Sequence, residues 1–414
     1  MHGSSSLPQY DGYASDVTYP GERKRYFYPN CQEARTLWYH DHGVHHTSQN
    51  AYNGLAGMYV LHDRREQALG IPQGRYDVPL ILRDAMFATD GSLIYNDNGE
   101  SGVYGDVLLV NGVPWPEMVV ERRKYRFRFL NASVSRSFEW RLVAGSSSVP
   151  MTVIGTDAGL MPRPQVVSSF RHGMAERYEV VVDFAKYPDN TLLTLTNLLP
   201  KNNIDYDGVK QAMRFRVRGD ATSTENNAVP AYWEDAVPPA ECMTFTEAAL
   251  REQGVHEREF KFIRKNSRWT INGETWEDVI DSEYTHCMAD PAEGDVEIWQ
   301  LSNTSGGWFH PVHIHLVDFQ ILSRTRDGLP APVYAHEKGP KDVVYVGENE
   351  TVRVAMRFAG PAAGEGWPTP HGRYMMHCHN LVHEDHDMMM QFKVGDHDDD
   401  PRCDPITADR ATAV

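Results

Sequence analysis

Histidine, cysteine and methionine occur together near the end of the chain, in the stretch HCHNLVHEDHDMM that begins at His377. Alternate residues of a β-strand share one face, so His377 and His379 would project to one side and Cys378 to the other. His383 follows Cys378 by five residues, and Met388 follows by ten. With one further imidazole, these side chains form the ligand set of a type 1 blue-copper site.

A second stretch, HPVHIH at 310–315, can supply that further imidazole through His310. Zinc suits this set less well, because methionine is a poor zinc ligand and structural zinc sites favour cysteine-rich sets. The residues therefore predict a type 1 copper that is held by two imidazoles, a thiolate and a weak axial thioether.

Three stretches each carry two histidines separated by one residue. The pairs are His40 and His42 in WYHDH, His313 and His315 in HPVHIH, and His377 and His379 in HCH. Each pair can present two imidazoles on one face of a strand. The chain contains 19 histidines, and a lone buried histidine is usually a core residue, but six in three spaced pairs indicate a second metal cluster. Cys378 would give an electron a short covalent route to that cluster.

The elements that must position these residues are predicted to be β-strands. Short alternating runs such as YRFRFL, RYEVVVDF and HIHLVDFQIL recur, and turns rich in Gly, Pro and Asn separate them. This texture predicts an all-β protein of sandwich or barrel domains. The basic and aromatic stretch ERRKYRFRFLN at 121–131 could suggest a nucleic-acid surface, but its alternation favours a half-buried strand.

Composition shifts predict the domain limits. Residues 63–74 form a charged connector, and residues 220–257 are rich in Pro, Ala and Glu. The predicted organisation is a partial first domain at 1–64, a second domain at 75–220, a linker at 221–257, a third domain with the type 1 copper at 258–395, and an acidic tail at 396–414. The first domain is about half the size of a complete β-sandwich.

Bulk composition excludes several classes of protein. The net charge of −17 argues against a nucleic-acid partner, and no apolar run reaches the roughly 20 residues of a membrane span. The 5 cysteines form no CxxC pair, which argues against a zinc ribbon, and their disulfide pairing is left open. Sequons at Asn131, Asn303 and Asn349 are compatible with secretion, although the sequence contains no signal-peptide pattern.

The copper motifs resemble those of a known family. WYHDH, HPVHIHLVDF and HCHNLVHEDHDMM are similar to the copper motifs of multicopper oxidases. RKYRFRFLNASVSRSF, MAERYEVVVDF and GPKDVVYVG resemble the fungal bilirubin oxidases within that family. The resemblance runs through nearly the whole chain and implies three cupredoxin-like Greek-key β-sandwich domains, the first of them incomplete.

The resemblance also implies a ligand set. The type 1 copper would be bound by His310, Cys378, His383 and Met388. The type 3 pair would be bound by His2, His40, His42, His315, His377 and His379, and the type 2 copper by His313. The family uses eight histidines in four HxH pairs for this trinuclear centre, whereas this sequence has seven. The eighth would lie two residues before His2, so we expect a chain truncated at its N-terminus, either a fragment or a misassigned start.

Four further residues are candidates for supporting roles. The resemblance places Trp308 beside the type 1 site, where it would shape donor docking, and Asp11 near the type 2 copper, where it could supply protons. The alternatives are a buried aromatic and a simple Asp–Gly turn. Asn380 and Glu384 could hydrogen-bond the cysteine sulfur or a histidine ring, or they could simply be polar turn residues.

The implied function is that of a bilirubin oxidase-like or laccase-like oxidoreductase. It would take single electrons from phenols, aromatic amines or bilins at the edge of His383 or His310 and reduce O2 to water. Two alternatives stay open. One is an O2-inert electron-transfer copper protein, and the other is a ferroxidase, for which Glu384 and Asp385 are the candidate carboxylates. The resemblance further implies a secreted monomer that acts without nucleic acid or membrane.

Overall fold

The fold is built mostly from β-strands, as the sequence predicts. We describe it from a computed structural model, which covers residues 1–233, 236–360, 369–396 and 400–402. The first part of the chain contributes a two-stranded antiparallel sheet and three short helices. Strands β1 and β2 are Arg35–His40 and Ala56–Leu61, and helices α1, α2 and α3 are Pro8–Asp11, Thr47–Tyr52 and Arg64–Gln67.

The middle of the chain forms a seven-stranded and a six-stranded sheet. Their strands are β3 Asp77–Ala85, β4 Val107–Val110, β5 Val113–Pro114, β6 Glu117–Arg122, β7 Lys124–Asn131, β8 Phe138–Ala144, β9 Ser147–Val149, β10 Met151–Thr156, β11 Gly159–Val167, β12 Phe170–His172, β13 Arg177–Asp183, β14 Leu192–Asn197 and β15 Gln211–Asp220. The larger sheet has the order β11-β10-β13-β7-β3-β4-β5, and the smaller has β12-β8-β14-β15-β6 with β9 beside β8. Residues of both sheets form one apolar core, which includes Phe127 and Trp140.

The last part forms a six-stranded and a four-stranded sheet, ordered β17-β16-β18-β23-β20-β21 and β22-β19-β24-β25. The strands are β16 His256–Lys265, β17 Arg268–Ile271, β18 Val296–Asn303, β19 His310–Ile314, β20 Phe319–Arg326, β21 Leu329–Ala331, β22 Val343–Val346, β23 Glu350–Arg357, β24 Gly372–Cys378 and β25 Met389–Val394. Helices α4, α5 and α6 are Glu247–Gln253, Trp276–Asp281 and Leu381–Asp385. Among the described residues, no helix has the length and apolar character to cross a membrane.

Strand β7 contains the basic and aromatic stretch. Phe127 and Phe129 lie in the apolar core between the two middle sheets. Arg126 and Arg128 alternate with them, and they too are buried. The stretch is therefore a strand, as predicted, but it is buried on both faces, so its arginines are not available to a nucleic acid.

These two arginines join the first part of the chain to the second. Arg126 bonds to both Glu66 and Glu179, and Arg128 donates to Glu179 at 2.7 Å. The hydroxyl of Thr36, in β1, donates to Glu179 at 3.0 Å. Buried charges are tolerated only when they are paired and hydrogen-bonded, so Glu179 is the anchor of this contact.

Two predicted segments, the linker and the acidic tail, lie largely outside the sheets. The predicted linker at 221–257 contains α4 and the first residues of β16. The domain limits that the sequence suggests remain a prediction. Of the predicted acidic tail, residues 397–399 and 403–414, which include Cys403, lie outside the described residues.

We predict that Glu179→Ala lowers the free energy of unfolding by about 3–5 kcal/mol, because it removes the carboxylate that Arg126 and Arg128 share and leaves Glu66 and Asp77 to balance two buried charges. Burial alone would raise the pKa of Glu179, but Arg126 and Arg128 lower it to about 2. The stabilisation is therefore complete above the normal glutamate pKa of 4.5 and is lost as the pH falls toward 2.

Urea denaturation at neutral pH measures the loss of stability in Glu179→Ala. Glu117→Ala, which removes the exposed partner of Arg216, is the control, and equal losses in the two variants would contradict the prediction.

Candidate metal centre

A cysteine and two histidines meet in the core of the last two sheets. Nδ1 of His310, at the start of β19, lies 3.2 Å from Sγ of Cys378, at the end of β24. Nδ1 of His383, in α6, lies 3.6 Å from the same sulfur. Met388 is buried in the same core cluster, and its carbonyl accepts the backbone N–H of Cys378 at 3.0 Å. The four predicted type 1 ligands therefore lie together.

The far nitrogens of both histidines face oxygen atoms. Nε2 of His310 lies 2.8 Å from Oγ of Ser305, and Nε2 of His383 lies 3.2 Å from the carbonyl oxygen of Ser101. Nε2 of His383 also lies 3.0 Å from the amide nitrogen of Asn380, and Nδ1 is the nitrogen that faces the thiol. Burial lowers the pKa of His310 to about 3 and that of His383 well below its normal value. Both rings are neutral, as metal ligands must be.

The thiol itself needs a cation in order to ionise. Burial raises the pKa of Cys378, whereas a coordinating metal removes the thiol proton. The backbone N–H of Asn380 is directed at Sγ over 3.4 Å and can donate to a thiolate. One thiolate, two imidazoles and a thioether form a set that suits copper.

Seven more histidines converge on a neighbouring site. Two groups of three have nitrogens within 4.8 Å of one another, namely His2, His40 and His379, and His42, His315 and His377. The seventh, His313, stacks on His2 with ring centroids 3.7 Å apart. All seven predicted trinuclear ligands thus lie together, and each of the two groups of three could hold one metal ion.

Strand pairing brings these histidines together from distant parts of the chain. β19 pairs antiparallel with β24, and His313 lies opposite His377. An isolated bridge joins His2 to Trp38 of β1, the strand that ends at His40. In each pair the first histidine lies on a strand and the second lies just past its end, so three strand ends supply one cluster.

Carboxylates lie beside the outer nitrogens of two rings. Nδ1 of His315 makes a hydrogen bond of 2.6 Å with Oδ2 of Asp11. Nδ1 of His377 lies 2.9 Å from Oε2 of Glu384, although the Glu384 oxygens have no hydrogen-bond partner among the described residues. Nε2 of His377 faces inward, 3.2 Å from Nε2 of His42. Metal-binding histidines characteristically donate their outer N–H to such partners, which orients the ring and raises its basicity. Burial raises the pKa of Glu384 to about 8.

Backbone carbonyls hold two other rings. Nδ1 of His40 lies 2.7 Å from the carbonyl of Asp41, and Nδ1 of His313 lies 2.8 Å from that of Asp342. The carboxylate of Asp342 in turn accepts from Arg177 at 2.6 Å, so a residue of β13 anchors the backbone that orients His313.

His379 provides a test of whether these residues fit a metal. Its side chain is fully buried, and neither ring nitrogen has a hydrogen-bond partner among the described residues. Burial, and then the neighbouring His40 and His377, lower its pKa well below the normal value. A buried polar group without a partner costs free energy, and coordination to a metal removes that cost. The residues therefore fit the copper that the motifs predict.

Comparison with known proteins agrees with this geometry. Family models described as multicopper oxidase match residues 1–66, 79–213 and 255–398. A laccase from Bacillus subtilis (strain 168) is 31% identical over 435 residues, which cover 96% of this chain and 79% of that protein. The chain belongs to the multicopper oxidase family. The family resemblance and the copper dependence expected from the motifs are therefore confirmed.

Other members of the family show the extent of the likeness. A bilirubin oxidase from Albifimbria verrucaria is 44% identical over 402 residues. The match covers 95% of this chain and 66% of that protein, so the chain spans about two thirds of the relative's length. The McoA multicopper oxidase from the hyperthermophile Aquifex aeolicus superposes with a TM-score of 0.83 at 31% identity, covering 95% of this chain and 83% of that chain. The cupredoxin-like, all-β fold is confirmed.

The four supporting candidates all lie beside the two sites. Asp11 and Glu384 contact rings of the larger cluster, Asn380 contacts Cys378, and the indole of Trp308 packs edge-on against His383 at 5.7 Å between ring centroids. These positions agree with the suggested roles, which nevertheless remain predictions.

Sequence reasoning missed several residues that surround the sites. Trp269 stacks on His383 at 3.6 Å between centroids, and the carbonyl oxygen of Ser101 lies 3.2 Å from Nε2 of that ring. Asp342 lies in GPKDVVYVG, so a charged pair directly before an apolar strand was a usable signal. Ser101 and Trp269 have no comparable signal, because distant segments bring them to the site.

We predict that Asp11→Ala weakens copper retention in the larger cluster by about 10- to 100-fold, the usual cost of removing the partner that orients a metal-binding histidine. His315 would lose the acceptor of its Nδ1–H. Copper content after dialysis against a graded chelator measures the effect. Asp16→Ala is the matched control, because Asp16 lines the same cavity but pairs with Lys24. Unchanged copper retention in Asp11→Ala would contradict the assignment.

Proposed function

We propose that this protein is an oxidase that takes single electrons from phenols, aromatic amines or bilins and reduces O2 to water. The observation that carries this proposal is the sequence His377-Cys378-His379 at the end of β24. It joins a buried thiol site to a buried imidazole cluster through covalent bonds. The bilirubin oxidase and laccases among the relatives support these classes of donor.

The proposed ligand assignment follows the three groups of side chains. The type 1 copper is held by His310, Cys378, His383 and Met388. The type 3 pair is held by His2, His40 and His379 at one position and by His42, His315 and His377 at the other. His313 binds the type 2 copper, with its outer nitrogen fixed by the carbonyl of Asp342.

When bound, copper supplies the one-electron redox steps and the reduction of O2. The protein supplies the binding, the orientation and the protons. The carboxyl groups of Asp11 and Glu384 lie next to Nδ1 of His315 and His377, where they can relay the protons that reduction of O2 to water consumes. A cavity of about 660 Å³, lined in part by His42 and Asp11, lies beside the cluster and gives room for O2 and water.

The donor does not reach the type 1 histidines directly. His310 and His383 are both 0% exposed. Trp308 is only partly buried, and its indole packs edge-on against His383. We infer that the donor contacts Trp308, which stands between solvent and the buried imidazole. An aromatic donor can pack against this indole, which favours phenols and bilins.

A ferroxidase role is less well supported. The carboxylate of Asp385 accepts the backbone N–H groups of Thr47 at 3.0 Å and Ser48 at 2.8 Å. That of Glu384 faces His377. Both candidate carboxylates are therefore engaged away from Trp308, so we favour organic donors over Fe(II).

We also propose that the protein is a secreted monomer without nucleic-acid or membrane partners. The net charge of −17 supports the absence of a nucleic-acid partner, because a negatively charged protein repels the phosphate backbone. Of the three sequons, Asn349 is exposed, whereas Asn131 and Asn303 are buried. Asn349 is therefore the one of the three at which a glycan can attach.

We expect the copper-loaded protein to be intensely blue, to oxidise a phenol with uptake of O2, and to lose both properties in Cys378→Ser. The substitution removes the thiolate that gives the type 1 site its colour and its route to the cluster. Visible spectra and oxygen-electrode assays measure the two properties. Cys242→Ser, at another buried cysteine, is the control.

Three outcomes separate the candidate functions. A colourless copper-loaded protein that oxidises no phenol would refute the oxidase. A blue protein with a type 1 but no type 2 electron paramagnetic resonance signal, and without O2 uptake, would be an electron-transfer protein. Saturable oxidation of Fe(II) that outpaces phenols would make it a ferroxidase.

A further inference from the structure

The turn that carries the type 1 ligands is held from outside by the loop at 131–137. The backbone N–H of Leu381 donates to the carbonyl of Val134 at 3.0 Å. The hydroxyl of Ser135 donates to Oδ1 of Asn380 at 2.7 Å. Ser135 and Asn380 are 0% and 1% exposed, so water does not compete for this hydrogen bond.

Asn380 connects that contact to the sulfur. Its backbone N–H is directed at Sγ of Cys378 over 3.4 Å. Its side-chain oxygen also accepts the backbone N–H of Val382 at 3.2 Å, which caps α6. The side-chain hydrogen bonds of Asn380 therefore help to fix the turn whose backbone N–H faces the sulfur.

The orientation of the Ser135 hydroxyl is determined by its surroundings. Its oxygen accepts the backbone N–H of Val103 at 3.0 Å. A hydroxyl has one proton, and the carboxamide oxygen of Asn380 is the acceptor that it meets. The fit is close, because a Cβ placed on Gly102 would lie 2.9 Å from Cβ of Ser135. The loop therefore has little freedom to turn the hydroxyl elsewhere.

We propose that Ser135 is a positioning residue for the type 1 copper, since its hydroxyl fixes Asn380 so that the backbone N–H of Asn380 donates to the Cys378 sulfur. The proposal rests on the proposed function, which places copper at Cys378. A hydrogen bond donated to the thiolate withdraws charge from the sulfur and favours the reduced copper, so it raises the redox potential. A loop of the middle sheets would thus help to set the potential at which electrons enter.

The loop also contains a matched control residue. Ser133 is 3% exposed, and its oxygen accepts the backbone N–H of Asp84 at 3.3 Å. Ser133 and Ser135 thus share residue type, loop, burial and a backbone hydrogen bond. The difference that matters is the bond from Ser135 to Asn380. Comparing the two alanine variants separates that bond from the general cost of losing a buried hydroxyl.

The test uses the full chain loaded with copper. Redox titration of the blue absorption should give a lower midpoint potential in Ser135→Ala than in the unmodified protein, and Ser133→Ala should not change it. The copper–sulfur stretching frequencies in resonance Raman spectra should shift in Ser135→Ala alone. Ser135→Thr, which keeps the hydroxyl, should restore both values. These readouts report on the copper–sulfur bond and not on turnover.

Equal midpoint potentials in Ser135→Ala and Ser133→Ala would overturn the proposal while leaving the oxidase assignment intact. Absence of blue colour in the unmodified protein would instead refute the proposed function itself. If Ser135→Ala does not fold, Ser135→Cys replaces it. A thiol is a weaker donor than a hydroxyl, so a smaller shift in the same direction is expected, and no shift would count against the proposal.

Discussion

The alternation of side chains along one strand is the constraint on which both metal sites depend. Successive residues of β24 face opposite ways, which separates Cys378 from His377 and His379 while leaving them covalently adjacent. Its partner β19 is paired so that His313 lies opposite His377. A slip of one residue would exchange the two faces and place the thiol among the imidazoles. Burial of every residue of β24 and β19 makes such a slip costly.

Burial has a second consequence, which is that the histidines stay neutral. Desolvation lowers the pKa of His2, His313 and His379 well below normal, so these rings present lone pairs. The same low dielectric makes every unpaired charge expensive. Buried charged side chains are therefore paired with side chains of opposite charge, as Arg177 is with Asp342. Electrostatic pairing and the neutral imidazoles that a metal needs are two results of one desolvated interior.

The convergence of the histidines that we propose as ligands could be predicted from the sequence, because the HxH pairs follow or interrupt runs that alternate as strands do. The burial of β7 on both of its faces could not be predicted from the sequence. Its alternation indicates a half-buried strand, whereas Glu66 and Glu179 from elsewhere in the chain bury its arginines. The contact between Ser135 and Asn380 spans 245 positions, and a lone serine carries no signal for such a partner. Local pattern reveals which residues can bind, and tertiary packing decides what orients them.

The small sheet formed by β1 and β2 has a consequence for how the protein matures. A two-stranded sheet is marginal by itself, yet this one carries His40 at the end of β1. Copper bound at His40 and His379 would fasten the hairpin to β24, so part of the binding free energy of the metal would become folding free energy. Without copper, the hairpin is held by contacts such as that of Thr36 with Glu179. A cell that makes this protein under copper starvation would therefore keep the hairpin docked through those contacts alone, and copper would add the rest of its stability.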